Sequence, residues 1–415
     1  MDGYSQQAMT DRCMEDYGWN SLLLESSSSS SSSSTTAIIQ TERAEMMAHL
    51  YSNPELYQYT SMVAFAEHYV LPSSSPSSSS SSSSKPLQTF LQQQKAKQPF
   101  EDPIFAGVVW DDWQMIGDND HYANHNKKEN NKLSQFRQAG MDYVRIHCNL
   151  LGSSPSTSTI STSSSTTSTM SISNKSLVVD CQPLLECLAR AAQQCQAHEL
   201  VPLLLVQVPW REDSRENGDG DDNDNGNNND ISFQYFDQAM NGLAKALKDQ
   251  QVDCSKLLLE TRPPIGISAM EERNLSTAER IELGFQVGKQ MFSVLDHVFA
   301  ESNTDEADND DSTGKTAPTL LGFCVAGGST KGINPPAMED DTQNAVRQGI
   351  RQSASKAWGH TTTMLCCYWE MGAKLMLTPQ VGQLWGSGDK DAARELFVQN
   401  AKAMAEEIVQ SKHQE

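Results

Sequence analysis

Five short apolar runs in this chain each stop at a polar or charged cluster, and helix-like sequence follows each one. They are IFAGVVW before Asp111-Asp112, MDYVRI before His147-Cys148-Asn149, VPLLLVQVPW before Arg211-Glu212, KLLL before Glu260-Thr261-Arg262, and TMLCCYW before Glu370. A sixth run, LLGFCVA, leads into Gly327-Gly328-Ser329-Thr330-Lys331. Brief apolar runs alternating with helices are how a parallel sheet reads, because its strands are covered on both faces. Ligands in such folds sit beyond the C-terminal strand ends. Reactive side chains gathered at one end of each run therefore predict an active-site rim.

The pattern predicts strands at 104–110, 142–147, 201–208, 256–260, 319–325 and 362–369, with 265–268 and 375–378 as weaker additions. Helices are expected at 132–139, 183–198, 233–250, 277–299, 341–358 and 391–410. Gly140 reads as the C-cap of the first, and Ser276 with Glu279 as a capping box opening the fourth. The fold class is α/β: a TIM-like (β/α) barrel, irregular in places. The alternative is an open doubly wound parallel sheet.

Much of the chain does not suit a packed core. Serine tracts at 26–34 and 73–84, a Ser/Thr run at 152–173, and Asn/Asp-rich stretches at 214–230 and 302–312 hold too little apolar surface to offset the entropy of ordering. The expected organisation is a disordered 1–35, a helical arm at 36–72, a low-complexity linker at 73–99, and a barrel domain at 100–415 with insertions at 152–173, 214–230 and 302–312. Arm residues Met46, Met47, Leu50, Val63 and Phe65 form an apolar face that either docks on the domain, the simpler reading, or binds a partner.

The formal net charge is −22. Part of it lies in the Asn/Asp-rich stretches, but the remaining excess still argues against nucleic acid or an anionic membrane surface. Nine cysteines show no CxxC pair, which argues against a structural zinc site. The first residues, MDGYSQQAMTDRCMEDYG, have neither a basic n-region nor an apolar h-region, so a cytoplasmic location is expected. No cofactor and no metal are expected. His147 with Asp111 or Asp112 and Glu260 could converge on a metal, but a rim histidine with satisfied hydrogen bonds is the simpler reading. TGKT at 313–316 lacks the upstream glycine and following helix of a phosphate-binding loop.

Glu260, closing the fourth run inside an apolar wall, has the setting of a general acid. An ion pair with Arg262 or Arg145 is the structural alternative. Glu370, or Asp112, is the candidate partner carboxylate. Trp110, Trp113, Trp210 and Trp369, at or just past run ends, offer faces for a sugar, and Arg145, His147 and Arg262 would line the same mouth. VRIHCN, a Glu closing the fourth run, and YWE near the last one resemble the TIM-barrel glycoside hydrolases that use a Glu/Glu pair. The resemblance covers roughly residues 100–375. Leu259 stands where that superfamily has Asn before its acid. The resemblance implies a barrel fold and glycosidase-like hydrolysis of a carbohydrate, with Glu260 as proton donor. A second reading is a lyase or isomerase acting on a phosphorylated metabolite, with Gly327, Gly328, Ser329, Thr330 and Lys331 holding the phosphate. A third is a non-catalytic barrel used for binding or as a scaffold. The partner in the first two is a small molecule.

Overall fold

The computed structural model describes residues 21–24, 46, 49–59, 62–71, 105–110, 113, 132–150, 177–208, 228–261, 275–301, 319–323, 345–346, 348–350, 352–353 and 378–413. Seven strands form one sheet in sequence order: β1 (Ser21–Leu24), β2 (Met62–Ala66), β3 (Phe105–Val109), β4 (Tyr143–Asn149), β5 (Val201–Gln207), β6 (Leu258–Thr261) and β7 (Thr319–Phe323). All six neighbouring pairs are parallel. Among the described strands the order never reverses, so the switch point of the doubly wound alternative is not found in them.

Helices separate the strands: α1 at residues 132–138, α2 (Leu177–Ala197), α3 (Asn228–Asp249) and α4 (Thr277–Glu301), with α5 (Pro379–Gly386) and α6 (Lys390–His413) closing the chain. Local chemistry sets their ends. Ser276 and Glu279 cap α4 reciprocally: the Ser276 N–H donates to Glu279 Oε2 at 2.8 Å, and the Glu279 N–H donates to Ser276 Oγ at 3.3 Å. The Ala392 N–H donates to Asp389 Oδ1 at 3.3 Å, which caps α6. Gly140 takes a φ of 86° after α1, and the Met141 N–H reaches back to the Phe136 carbonyl at 3.1 Å.

The largest departure from the expected organisation is at the N-terminus. Residues 21–24, read as disordered, are β1, and MVAFA, read as part of a helical arm, is β2. β2 pairs with β3 from Met62↔Phe105 to Ala66↔Val109, so the arm is sheet rather than appendage. Five consecutive apolar residues lack the polar positions a surface helix needs, and both faces of this strand are covered. The expected insertion at 214–230 is also shorter, because α3 starts at Asn228. The expected strands 265–268 and 362–369 lie outside the described residues, as does 375–378 except for Thr378.

Alternation along the strands separates two faces. Val63, Phe65, Ala106, Val108, Val144, Ile146, Cys148, Leu204, Val206 and Leu259 belong to one core cluster shared with the helices, including Leu185, Leu188, Met240, Leu243 and Phe292. The opposite face carries Phe105, Gly107, Tyr143, Leu203, Leu205 and Leu258, which are buried but stand apart from that cluster. Gly107 is required there: a Cβ on it would overlap the ring of Tyr143, its register partner. The chain's two ends also meet. Tyr51 packs on Phe397 of α6 with ring centroids 5.9 Å apart, and His49 lies 5.7 Å from the Trp385 ring of α5. Among the described residues, no helix is long and apolar enough to cross a membrane.

Candidate functional site on the inner face of the sheet

The sheet face turned away from the helix-side core, its inner face, changes character from one end to the other. Its first row, Gly107–Tyr143–Val201, and most of its second, Val109–Arg145–Leu203–Leu258, are apolar. The third row is His147–Leu205–Glu260 and the fourth is Asn149–Gln207. The strands are parallel, so the polar residues collect at their C-terminal ends. The opposite face is apolar along the same strands until Thr261, whose hydroxyl donates to the Val206 carbonyl at 3.2 Å.

Arg145 and Glu260 meet across β5. Arg145 Nη2 donates to Glu260 Oε2 at 3.4 Å, and their side chains are only 3% and 0% exposed. The burial strengthens the pair and makes it costly to break. His147, half-buried, stands one row beyond Arg145 on the same strand. Its carbonyl accepts from Trp113 Nε1 at 3.1 Å, which ties the end of β4 to the chain after β3. Gln207 ends β5 at 3% exposure.

Of the residues expected at the mouth, Arg145, His147 and Glu260 therefore share one face and two adjoining rows. The Glu260–Arg145 ion pair, the structural alternative for this glutamate, is formed. Trp110 and Trp113, both buried in the helix-side core, do not join them. Trp110 continues the helix-facing alternation of β3 and is 1% exposed, so it has no face to offer a sugar. Asp112, Trp210, Arg262, Trp369, Glu370 and the run Gly327, Gly328, Ser329, Thr330 and Lys331 lie outside the described residues. Counting β1 and β2, Glu260 stands on the sixth strand rather than the fourth. The hydrolase resemblance had relied on a fourth-strand acid. The sequence reading did not single out Gln207. The signal for Gln207 was present, since it is the one polar residue inside VPLLLVQV.

No group of three His, Cys, Asp or Glu side chains among the described residues is arranged to hold a metal. Cys148 lies on the helix side, and burial, with Cys181 and Cys187 nearby, pushes its thiol up to about 12. A thiol in that state is inert at neutral pH.

Comparison with known proteins adds little. No family model matches the chain, and no curated protein does. Among solved structures, fructose-bisphosphate aldolase from Plasmodium falciparum, in a ternary complex with TRAP and a small-molecule inhibitor, is similar at 11% identity and a TM-score of 0.44 over 97% of this chain and 94% of that one. The class defined by fold and site is thus an α/β protein with a sequentially ordered parallel sheet and a buried polar cluster at its C-terminal strand ends.

Proposed function

We propose that the sheet is part of a TIM-like barrel and that the chain is a lyase or isomerase acting on a phosphorylated metabolite at the barrel mouth. The observation that carries this reading is the placement of Arg145, His147, Gln207 and Glu260 on one face, with His147, Gln207 and Glu260 in its C-terminal rows and Arg145 one row below. Three facts support the barrel: sequential strand order, an inner face distinct from the helix-side core, and packing of the last two helices on the segment between β1 and β2. Residues 362–369 would supply an eighth strand.

Glycosidase chemistry needs two opposed carboxyl groups, one of them with a proton to give. Glu260 is the only carboxylate on the described inner face, and it is engaged by the Arg145 guanidinium. Proton transfer at carbon needs less: one base at the rim and a fixed charge pattern behind it. In this reading His147 moves the proton, and the Arg145–Glu260 pair fixes the charge below it. Gly327, Gly328, Ser329, Thr330 and Lys331 follow β7, the neighbour of the Glu260 strand, and would hold the phosphate.

The test is proton NMR of the purified chain in heavy water with a panel of sugar phosphates and neutral oligosaccharides, alongside thermal melts. Stabilisation by phosphorylated compounds, with deuterium entering one of them at carbon, is the expected result. Stabilisation and hydrolysis of a neutral oligosaccharide would overturn it. The burial of Arg145 and Glu260 favours a second reading, a binding protein whose mouth centre is filled. It predicts phosphate-dependent stabilisation with no exchange or turnover.

A further inference from the structure

We infer that Gln207 is a ligand-binding residue whose side-chain amide is held ready to donate to a carbonyl or hydroxyl oxygen of the bound molecule. The side chain is 3% exposed, and its Nε2 has no hydrogen-bond partner among the described residues. By register it lies on the inner face, one row beyond Leu205 and Glu260, in the part of the sheet where polar residues gather. A buried donor without an acceptor costs folding free energy, whereas a ligand oxygen placed there recovers it.

Another glutamine shows what a structural amide does in this fold. Gln196 Nε2 donates to the Asp253 carbonyl at 2.7 Å and the Lys256 carbonyl at 3.2 Å, and its Oε1 accepts from the Asp253 N–H at 3.0 Å. Gln196 spends its amide on holding the turn before β6. Gln207 is far more buried, yet its amide nitrogen is not used in this way. The chemistry of the acceptor follows from the neighbours. Glu260 already neutralises Arg145, and the amide itself is uncharged, so this row suits a neutral oxygen better than a second anion. The inference rests on the reading above for the ligand's phosphate, but not for this oxygen.

The experiment uses the full chain and two variants of different shape, Gln207→Met and Gln207→Leu. In the absence of ligand, at least one variant is expected to melt a few degrees higher than wild type, because the unmatched donor is gone. A lower melt in both would mean that the fold already satisfies the amide, and would overturn the inference. Inorganic phosphate, glycerol and glycerol 3-phosphate are then titrated in thermal melts. Wild type should prefer glycerol 3-phosphate to phosphate, and the variants should lose roughly tenfold of that preference while keeping the phosphate shift. Equal preference in wild type and variants would overturn the role of Gln207. If neither phosphorylated probe acts on any form, the phosphate reading fails, and glycerol alone decides Gln207. A shift in wild type that both variants lose supports it, and an equal or absent shift overturns it.

Discussion

Two carboxylates, the buried Glu260 and the half-buried Asp142, have different partners, and each supports a prediction. Glu260 is partnered by Arg145 at 3.4 Å with almost no exposure on either side. Glu260→Gln would leave a guanidinium buried without its counter-charge, and the expected loss is about 3–5 kcal/mol. Adding Arg145→Met should restore most of it, since the unpaired buried charge is then gone. Chemical denaturation of Glu260→Gln, Arg145→Met and the double variant checks this, and additive losses would mean that the pair is not coupled. Asp142 precedes β4 and accepts from the Ala106 N–H at 3.0 Å. Burial raises its pKa from 3.8 to about 6, with the Ala106 N–H and the Arg137 charge opposing. The folded chain therefore holds a proton that the unfolded chain releases. Its contribution is complete below about pH 3.8 and is lost as pH rises through about 6, a swing of at most about 3 kcal/mol. Asp142→Asn should keep the hydrogen bond but not titrate. Its melting temperature relative to wild type should climb between pH 4 and pH 7, and a constant difference would exclude the mechanism.

At the scale of elements, one joint recurs where a helix hands over to a strand. After α2, Glu199 takes a φ of 58°, with the Leu200 N–H bonded to the Cys195 carbonyl at 3.0 Å. After α3, Gln251 takes a φ of 55°, with the Val252 N–H bonded to the Leu247 carbonyl at 2.9 Å. Gly140 makes the same turn after α1 without steric cost. A side chain in this left-handed conformation costs about 1 kcal/mol relative to glycine. Gln251→Gly should therefore raise the melting temperature by a few degrees, because Gln251 is exposed and its side chain supports no packing. A fall would mean that backbone freedom gained by the unfolded chain outweighs the relieved strain. The joints matter to the site because they set where β5 and β6 begin, and hence which residues share a row.

For the whole molecule, the N-terminal segment is the decisive piece. Deleting residues 1–71 would strip β1 and β2 from β3, exposing an apolar strand edge, and would remove Leu50, Tyr51 and Leu56 from the core shared with α6. The expected product is insoluble, or soluble without a cooperative melt. A soluble product melting like the full chain would return the segment to the status of a tethered arm. Loop deletions should be far milder. Replacing 152–173 with a short Gly/Ser linker should shift the melt by no more than a few degrees, because loop closure depends only weakly on length.

Strands β3 to β7 were legible because each is a short apolar run stopped by polar residues, and two helices announced their own ends through Ser276 and Gly140. Those signals are local, and they survive in the sequence whatever the rest of the chain does. β1 and β2 were not legible. SLLL and MVAFA are four and five residues long, border serine tracts, and become strands only by pairing, β1 with β2 and β2 with β3. Arg145, His147 and Glu260 were picked out by their positions at run ends, but their roles depended on contacts that no spacing encodes. The sequence alone offered both Arg145 and Arg262 as partners for Glu260, and the register of β4, β5 and β6 brings Arg145 to it. Alternation also settled Trp110 and Gln207 in opposite senses. An odd or even position along a strand sends one ring into the helix-side core and one amide to the inner face, and only the paired sheet tells which face is which.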